Sequence, residues 1–307
     1  MQVLVTGAGG MLGSALLPEF RKMGHSVFAS DIRGSLPRLD VRSRDEIKRA
    51  MDDVLPDMVV HLAAETSLEV CETNPGHAWE TNTKAVEHIA AATAERGVPL
   101  VYVSTAGVFD GTKAEPYEES DLPHPINLYG ETKLAGERVV ADVCAHHFIV
   151  RAGWMVGGGD GDHKFVGMMV RKLLAGERTL HAVGDKYGSP TYAVDFSRCL
   201  GALVRTEEYG LYHMVSGGSG RRFDVAEYVV QHFGLADQVD LVEVGSDFFA
   251  EDFFAARPRS EAMVNAELER RGLNSMRPWR TALSEYLSIN FGDRLGPVGG
   301  VNAAVPG

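Results

Sequence analysis

The chain opens on a short apolar run, Gln2–Thr6, and similar runs return at His25–Ser30, Asp57–Ala64, Pro99–Ser104 and His147–Ala152. Apolar runs of about four to eight residues bounded by turn signals read as strands buried on both faces. Longer stretches with helical spacing lie between them: Met11 to about Met23, Ser43–Asp53, His77–Arg96 and Tyr129 to about Ala145. Ser43 with Glu46 three residues on forms a capping-box signature. A short third strand is expected to end at Asp40, and Glu65–Asn74 reads as a loop or short helix. His61, inside an apolar run, reads as a core or edge histidine. Strands alternating with helices predict an α/β fold, a Rossmann-type doubly wound parallel sheet.

After Arg151 the pattern loosens. Gly157–Gly161 reads as a flexible loop, Lys164 begins a helix to Ala175, and Val239–Val244 reads as a strand. The organisation expected is a dinucleotide-binding domain over 1–152, joined by a returning strand near 211–215. A smaller carboxyl-terminal α/β lobe over 153–290 would bind substrate. The tail 293–307, rich in glycine and proline, is expected to be disordered.

The first strand runs directly into Gly7-Ala8-Gly9-Gly10-Met11-Leu12-Gly13 and then a helix. This is the first half of a nucleotide-binding βα unit. Gly7 would permit the tight turn, Gly9 and Gly10 would let the backbone approach a pyrophosphate, and Gly13 would let the helix pack against the strand. The helix N-terminus supplies amide donors and a favourable dipole. The second strand ends at Asp31, the position where a carboxylate holds a ribose 2′-hydroxyl. That favours NAD. Arg33, two residues on, offers a partner for a 2′-phosphate, so NADP stays open.

Tyr129 and Lys133 are four residues apart and share a helix face. An ammonium beside a phenol favours the phenolate, so the pair is a candidate proton donor or acceptor for a carbonyl or alcohol. Hydroxyls at the end of the Pro99–Ser104 strand, Ser104 and then Thr105, face the crevice where open α/β sheets bind ligands.

A formal net charge of −12 argues against unaided binding to a nucleic-acid polymer or an anionic membrane. A local helix N-terminus still accommodates phosphate. No apolar run approaches about 20 residues, so no membrane span is expected. Cys71, Cys144 and Cys199 lack paired spacing and read as reduced packing residues, which with the absence of a signal peptide points to the cytoplasm. No compact metal-ligand cluster is visible, so no metal is assigned.

Several stretches carry a family resemblance: Val5–Gly13, Val60–Ala64, Tyr102–Thr105 with Val108-Phe109 and Gly111, Asn127–Glu137, Arg151–Trp154, Tyr187–Thr191 and Arg257-Pro258. Over roughly residues 1 to 290 the chain resembles the dTDP-4-dehydrorhamnose reductases, extended short-chain dehydrogenases/reductases. The resemblance implies that Tyr129 protonates the sugar C4 oxygen, that Lys133 holds the nicotinamide ribose and lowers the Tyr129 pKa, and that Thr105 hydrogen-bonds the substrate carbonyl. It places Gly7, Gly10, Met11 and Leu12 along the pyrophosphate and Asp31 and Arg33 near the adenosine ribose. Ala63, Ala64 and Thr66 would flank the cofactor, NAD or NADP in its reduced form. Ser104, Trp154, Lys164 and Arg257 are the substrate-side candidates, with Asn82 as a structural or functional asparagine. The partner implied is a nucleotide-linked sugar; a homodimer is compatible with the family, and some relatives use magnesium at a dimer contact.

The chain departs from the family's pattern at Glu65, where an aromatic is usual, at Ala106, where an aspartate is usual, at His163-Lys164, and at Glu261 and Met263. These changes touch the choice of sugar rather than the reduction. Two other readings compete: a nucleotide-sugar epimerase or dehydratase, against which Ala106 counts, and a non-catalytic regulator like the methionine adenosyltransferase beta subunit.

Overall fold

In the computed structural model, described over residues 1–295, the amino-terminal half alternates strand and helix. In chain order come β1 (Gln2–Thr6), α1 (Met11–Lys22), β2 (Ser26–Ser30), α2 (Arg44–Val54), β3 (Met58–His61), α3 (Leu68–Thr73), α4 (Pro75–Trp79), α5 (Ala85–Ala94), β4 (Leu100–Thr105), α6 (Leu128–Val143) and β5 (His147–Ala152). The second half contributes β6 (Trp154–Val156), α7 (Phe165–Leu174), β7 (Thr179–Val183), β8 (Tyr187–Gly188), β9 (Pro190–Tyr192), α8 (Ala193–Leu203) and β10 (Gly210–Met214). It ends with β11 (Gly220–Arg221), α9 (Arg222–His232), β12 (Asp240–Val244), β13 (Ser260–Glu261), α10 (Ala266–Arg270) and α11 (Trp279–Leu295).

Six strands form one parallel sheet in the order β10-β5-β4-β3-β1-β2. The strand order reverses between β1 and β3, which opens the ligand crevice of a doubly wound sheet at the carboxyl ends of those strands. Strand β10 pairs with β5 at residues 210–214, so the later chain does return to the sheet. The period of two divides the sheet's side chains between two cores. Val3, Val5, Val60 and Val150 pack with α1 and α8, whereas Leu4, Val59, Tyr102 and Ile149 pack with α2, α5 and α6. A third core gathers α7, α9, α11 and β7 beyond the sheet.

Five expectations need correction. No third strand ends at Asp40: Asp31 and Arg38 form only an isolated bridge, while Leu39 and Val41 bury their side chains instead. Pro37 has no amide proton and cannot extend a ladder. The third apolar run leaves the sheet at His61, before Leu62–Ala64. His61 is a buried core residue, bonded to Thr6 Oγ1 at 2.7 Å and stacked on Tyr102. The helix expected over 77–96 begins at Pro75 and carries a π turn at Glu80–Lys84. Of the expected tail, Asp293–Leu295 complete α11, and 296–307 lie outside the described residues. Ser43 caps α2 through the Glu46 amide, but the Glu46 carboxylate turns to Arg38 and the Asp40 amide rather than back to Ser43.

Helix α6 is fastened to the sheet by polar contacts inside the protein. Glu137 accepts from Arg151 at 2.9 and 2.7 Å and from Ser104 Oγ at 2.5 Å, with all three residues buried. Tyr102 donates to the Lys133 carbonyl at 3.2 Å. Gly136 lets the two elements meet, since a Cβ there would lie 2.4 Å from the Tyr102 hydroxyl. Removing one partner of a buried pair leaves the other charge uncompensated. Glu137→Ala should therefore lower unfolding free energy by about 3–5 kcal/mol in urea titrations; a loss under about 1 kcal/mol would show that the pair does not fasten the helix.

Candidate active site

The carboxyl ends of β1, β3, β4 and β5 open into one crevice of about 2150 Å³ that runs from the glycine turn to Arg257. Gly7, Gly10, Met11, Leu12, Asp31, Arg33, Ala63, Ala64 and Thr66 all line it, as do Thr105, Tyr129, Lys133, Trp154, Lys164 and Arg257.

The glycines do more specific work than expected. Gly7 sits at φ +68°, and a Cβ there would lie 2.4 Å from the Ala63 amide nitrogen, so it admits the chain leaving β3. Gly9 makes room for Asp31, whose carboxylate accepts from the Gly9 amide at 2.9 Å. A Cβ on Gly13 would strike the Ala8 carbonyl at 2.2 Å, so this glycine packs α1 on its own entry turn. The other Asp31 oxygen accepts from the Arg33 amide at 2.9 Å, and Arg33 itself is exposed.

Asn127 caps α6 by accepting from the Gly130 amide, which starts the helix just ahead of Tyr129. Thr105 stands beside the Tyr129 phenol, its Oγ1 accepting from the Gly107 amide at 3.1 Å, and favours the ionised phenol. Burial outweighs that influence and pushes the phenol up to about 12, helped by the charges of Cys71, Glu261 and Glu65. The expected lowering by Lys133 is absent. Lys133 Nζ instead donates to the Val103 carbonyl at 2.9 Å and lies 4.1 Å over the Tyr102 ring. Burial lowers its pKa to about 7, against a small opposing pull from Glu137. Tyr129 is thus a phenol that keeps its proton across the neutral range.

Ser104, expected among the substrate contacts, turns its hydroxyl to Glu137 instead. Ser104 and Thr105 both line the crevice, but the Ser104 hydroxyl is committed to Glu137. Asn82 is structural: its amide accepts from the Glu65 amide and donates to the Glu65 carbonyl and to Thr132 Oγ1. The π turn aims it there, a common use of such turns. Lys164 reaches across to Thr66 Oγ1 at 3.2 Å. Arg257 pairs with Glu69 at 2.7 Å and so links the two halves of the crevice wall.

Trp154 is held rather than free. Its Nε1 donates to Glu261 at 2.8 Å, and one ring face covers Gly188, where a Cβ would fall 2.2 Å from the indole. The guanidinium of Arg222 lies 3.7 Å over the ring centroid. Glu65 pairs with His77 at 3.3 Å in the crevice wall. Sequence reasoning missed Arg222 and His77 and saw Glu261 only as a departure. The Arg221-Arg222 doublet after a Gly-Ser-Gly turn was a visible signal, but its distance from Trp154 in the chain hid the contact. Among the described residues, no three His, Cys, Asp or Glu side chains gather as a metal site, and no helix is long and apolar enough to cross a membrane.

A parallel sheet that reverses at a glycine turn, with a Tyr-x-x-x-Lys helix facing that crevice, defines an extended short-chain dehydrogenase/reductase fold. A family model described as the RmlD substrate binding domain matches residues 1–290. A dTDP-4-dehydrorhamnose reductase of Mycolicibacterium smegmatis is 33% identical over 95% of this chain and 86% of its own length. A dTDP-4-keto-6-deoxy-D-glucose reductase of Streptomyces niveus is 35% identical over 93% and 96%. Among solved structures, a dTDP-4-dehydrorhamnose reductase from Bacillus anthracis in complex with NADP superposes with a TM-score of 0.86 at 30% identity, covering 93% of this chain and 98% of that one. The chain belongs to the dTDP-4-dehydrorhamnose reductase family. A Thermus thermophilus UDP-glucose 4-epimerase in complex with NAD shares the fold, with a TM-score of 0.79 at 22% identity over 94% and 98% of the two chains.

The Lys133 shift has a consequence for stability. The folded value of about 7 lies below the ordinary 10.5, so the unfolded chain binds this proton more tightly. The penalty is complete below pH about 7 and fades as pH rises toward about 10.5. Urea midpoints of wild type should therefore climb relative to those of Lys133→Met between about pH 7 and pH 9.5. Parallel curves would place the ammonium in water rather than in the protein.

Proposed function

We propose that the protein reduces the C4 keto group of a nucleotide-linked 4-keto-6-deoxy sugar, with dTDP-4-dehydro-L-rhamnose as substrate and dTDP-L-rhamnose as product. The observation that carries this reading is the protonated Tyr129 phenol standing beside Thr105 in the crevice at the carboxyl end of β4. The relatives named as dTDP-sugar reductases support the substrate class.

The residues at the amino-terminal end of the crevice fit a nicotinamide dinucleotide. Gly10 presents its amide region without a side chain, and Gly7 and Gly13 keep the turn tight against β3 and α1. Met11 and Leu12 continue that cradle at the start of α1, an anion-favouring helix end. Ala63 and Ala64 give a low wall, with Thr66 beyond them. When bound in reduced form, the cofactor supplies the hydride. Asp31 is set to accept from a ribose hydroxyl, which favours NAD slightly. Arg33 leaves room for NADP, the cofactor in the Bacillus anthracis relative.

The chain's own part is proton delivery and orientation. Thr105 and Tyr129 converge on one point, where a substrate carbonyl oxygen would receive two hydrogen bonds. Tyr129 gives up its proton to that oxygen as negative charge develops there, while Thr105 donates a hydrogen bond that steadies the charge. A phenol raised to about 12 is a weak acid toward water but a suitable donor to an alkoxide, whose own conjugate acid is weaker still. Lys133, anchored on Val103, is placed to hold the nicotinamide ribose. Trp154 offers a flat wall for the sugar, and residues 153–290 supply most of the substrate side.

The decisive assay mixes purified protein with NADH or NADPH and dTDP-4-keto-6-deoxy-L-mannose generated by upstream enzymes, following absorbance of the reduced cofactor. Wild type should consume it. Tyr129→Phe should lose about 10²–10⁴-fold in turnover while cofactor binding is retained. Undiminished turnover would remove Tyr129 from the acid role. No consumption by wild type, with cofactor binding retained, would point to another sugar nucleotide or to a regulator.

Asp31→Ala should weaken NADH binding and improve NADPH binding relative to it, as read by cofactor fluorescence. An unchanged preference would make Asp31 a structural acceptor for the Gly9 and Arg33 amides alone.

A further inference from the structure

Arg222 opens α9 and faces the crevice from the carboxyl-terminal side. Its guanidinium carbon lies 3.7 Å from the Trp154 ring centroid and 5.1 Å from that of Phe165. Stacking on aromatic faces fixes the plane of a guanidinium and leaves its N–H edges available. Among the described residues those edges meet no hydrogen-bond acceptor and form no ion pair; burial lowers the Arg222 pKa, the charge of Glu261 opposes that and the charge of Arg257 adds to it.

The neighbouring charges are otherwise engaged. Glu261 accepts from Trp154 Nε1 and so fixes the indole beneath Arg222. Arg257 is tied to Glu69 and to the Phe253 and Ala255 carbonyls. Lys186 donates to the Arg257 carbonyl at 2.8 Å, and Lys164 to Thr66. Burial lowers Arg222 to about 10, so it remains a cation at neutral pH. Arg222 disfavours the charge on Lys164, and Arg257 disfavours the charge on Arg222. A chain of net charge −12 has thus brought Lys164, Lys186, Arg222 and Arg257 to one crevice, and among these four described residues only the Arg222 side chain has no hydrogen-bond partner.

We propose that Arg222 is the principal anchor for the diphosphate of the nucleotide-linked substrate, gripping it through the N–H edges left open by the Trp154–Phe165 stack. A diphosphate carries the charge that this wall lacks and the paired oxygens that a planar guanidinium fork matches. Arg257 then closes the wall through Glu69 and contributes less to anion binding. The inference rests on the nucleotide-sugar reading given above.

The test uses the full chain and isothermal titration with thymidine diphosphate, thymidine and inorganic pyrophosphate. Arg222→Gln should weaken thymidine diphosphate and pyrophosphate by about tenfold to a hundredfold, the usual scale for a lost charge-assisted hydrogen bond. Thymidine affinity and NADH or NADPH binding should hold, which also establishes that the variant is folded. Arg222→Lys should fall between, because it keeps the charge and loses the fork. Arg257→Gln should lose less than Arg222→Gln. In turnover, KM for the keto sugar should rise more than kcat falls.

Equal diphosphate affinity in wild type and Arg222→Gln, or a larger loss in Arg257→Gln, overturns the assignment even if ketone reduction is observed. Failure of wild type to bind either phosphate compound overturns it as well. If Arg222→Gln weakens the diphosphate while wild type reduces no 4-keto sugar, the anchor stands and the reductase reading falls.

Discussion

The buried contact among Glu137, Arg151 and Ser104 fixes where the chemistry can happen. It joins α6 to β5 and β4 at once, and α6 carries both Tyr129 and Lys133. A helix packed only through apolar side chains can slide by small amounts. A carboxylate bonded by three donors at set distances cannot slide without leaving charges unpaired. Tyr102 and Gly136 add a second fixing point one turn nearer the site. The phenol is therefore positioned by the sheet, and Thr105, at the end of the same β4, meets it there.

Burial also explains why the two residues of the pair shift in opposite directions. Removing water disfavours every charged form, so the phenol holds its proton and the ammonium releases its proton more readily. Burial is the largest cause both of the rise at Tyr129 and of the fall at Lys133. The spacing Tyr-x-x-x-Lys says only that both residues share a helix face. It does not say that the ammonium points at the phenol, and here it points at the Val103 carbonyl. The residue types and their spacing brought Tyr129 and Lys133 to one crevice, but the expected lowering of the phenol by the ammonium is absent.

The parts of the fold legible in the sequence were those with strong local signals. Buried parallel strands are near-continuous apolar runs, and His147–Ala152 stands where the pattern put it. The glycine turn was legible because no other residue tolerates φ +68° against the Ala63 backbone. Illegible features depended on contacts distant in sequence. The π turn at Glu80–Lys84 forms where Asn82 reaches Glu65 and Thr132, neither of which marks that helix as irregular. The segment before Asp40 has apolar residues like a strand, yet it buries them without a ladder. Ser104 and Thr105 look alike as hydroxyls; only the partner at residue 137 separates them.

The two halves of the crevice differ in how they gain precision. The amino-terminal half is built from backbone: glycines, alanines and helix amides, with few side chains committed. The carboxyl-terminal half is built from side chains stacked on one another, with Trp154 resting on Gly188, bonded to Glu261 and covered by Arg222. Backbone surfaces suit a ligand part that is the same in every reaction of a fold. Side-chain stacks change with single substitutions and suit the part that varies. Glu65 and Glu261, both departures from the family's pattern, also act on the Tyr129 phenol. The residues that differ in this chain therefore lie close enough to Tyr129 to help hold the proton on its phenol.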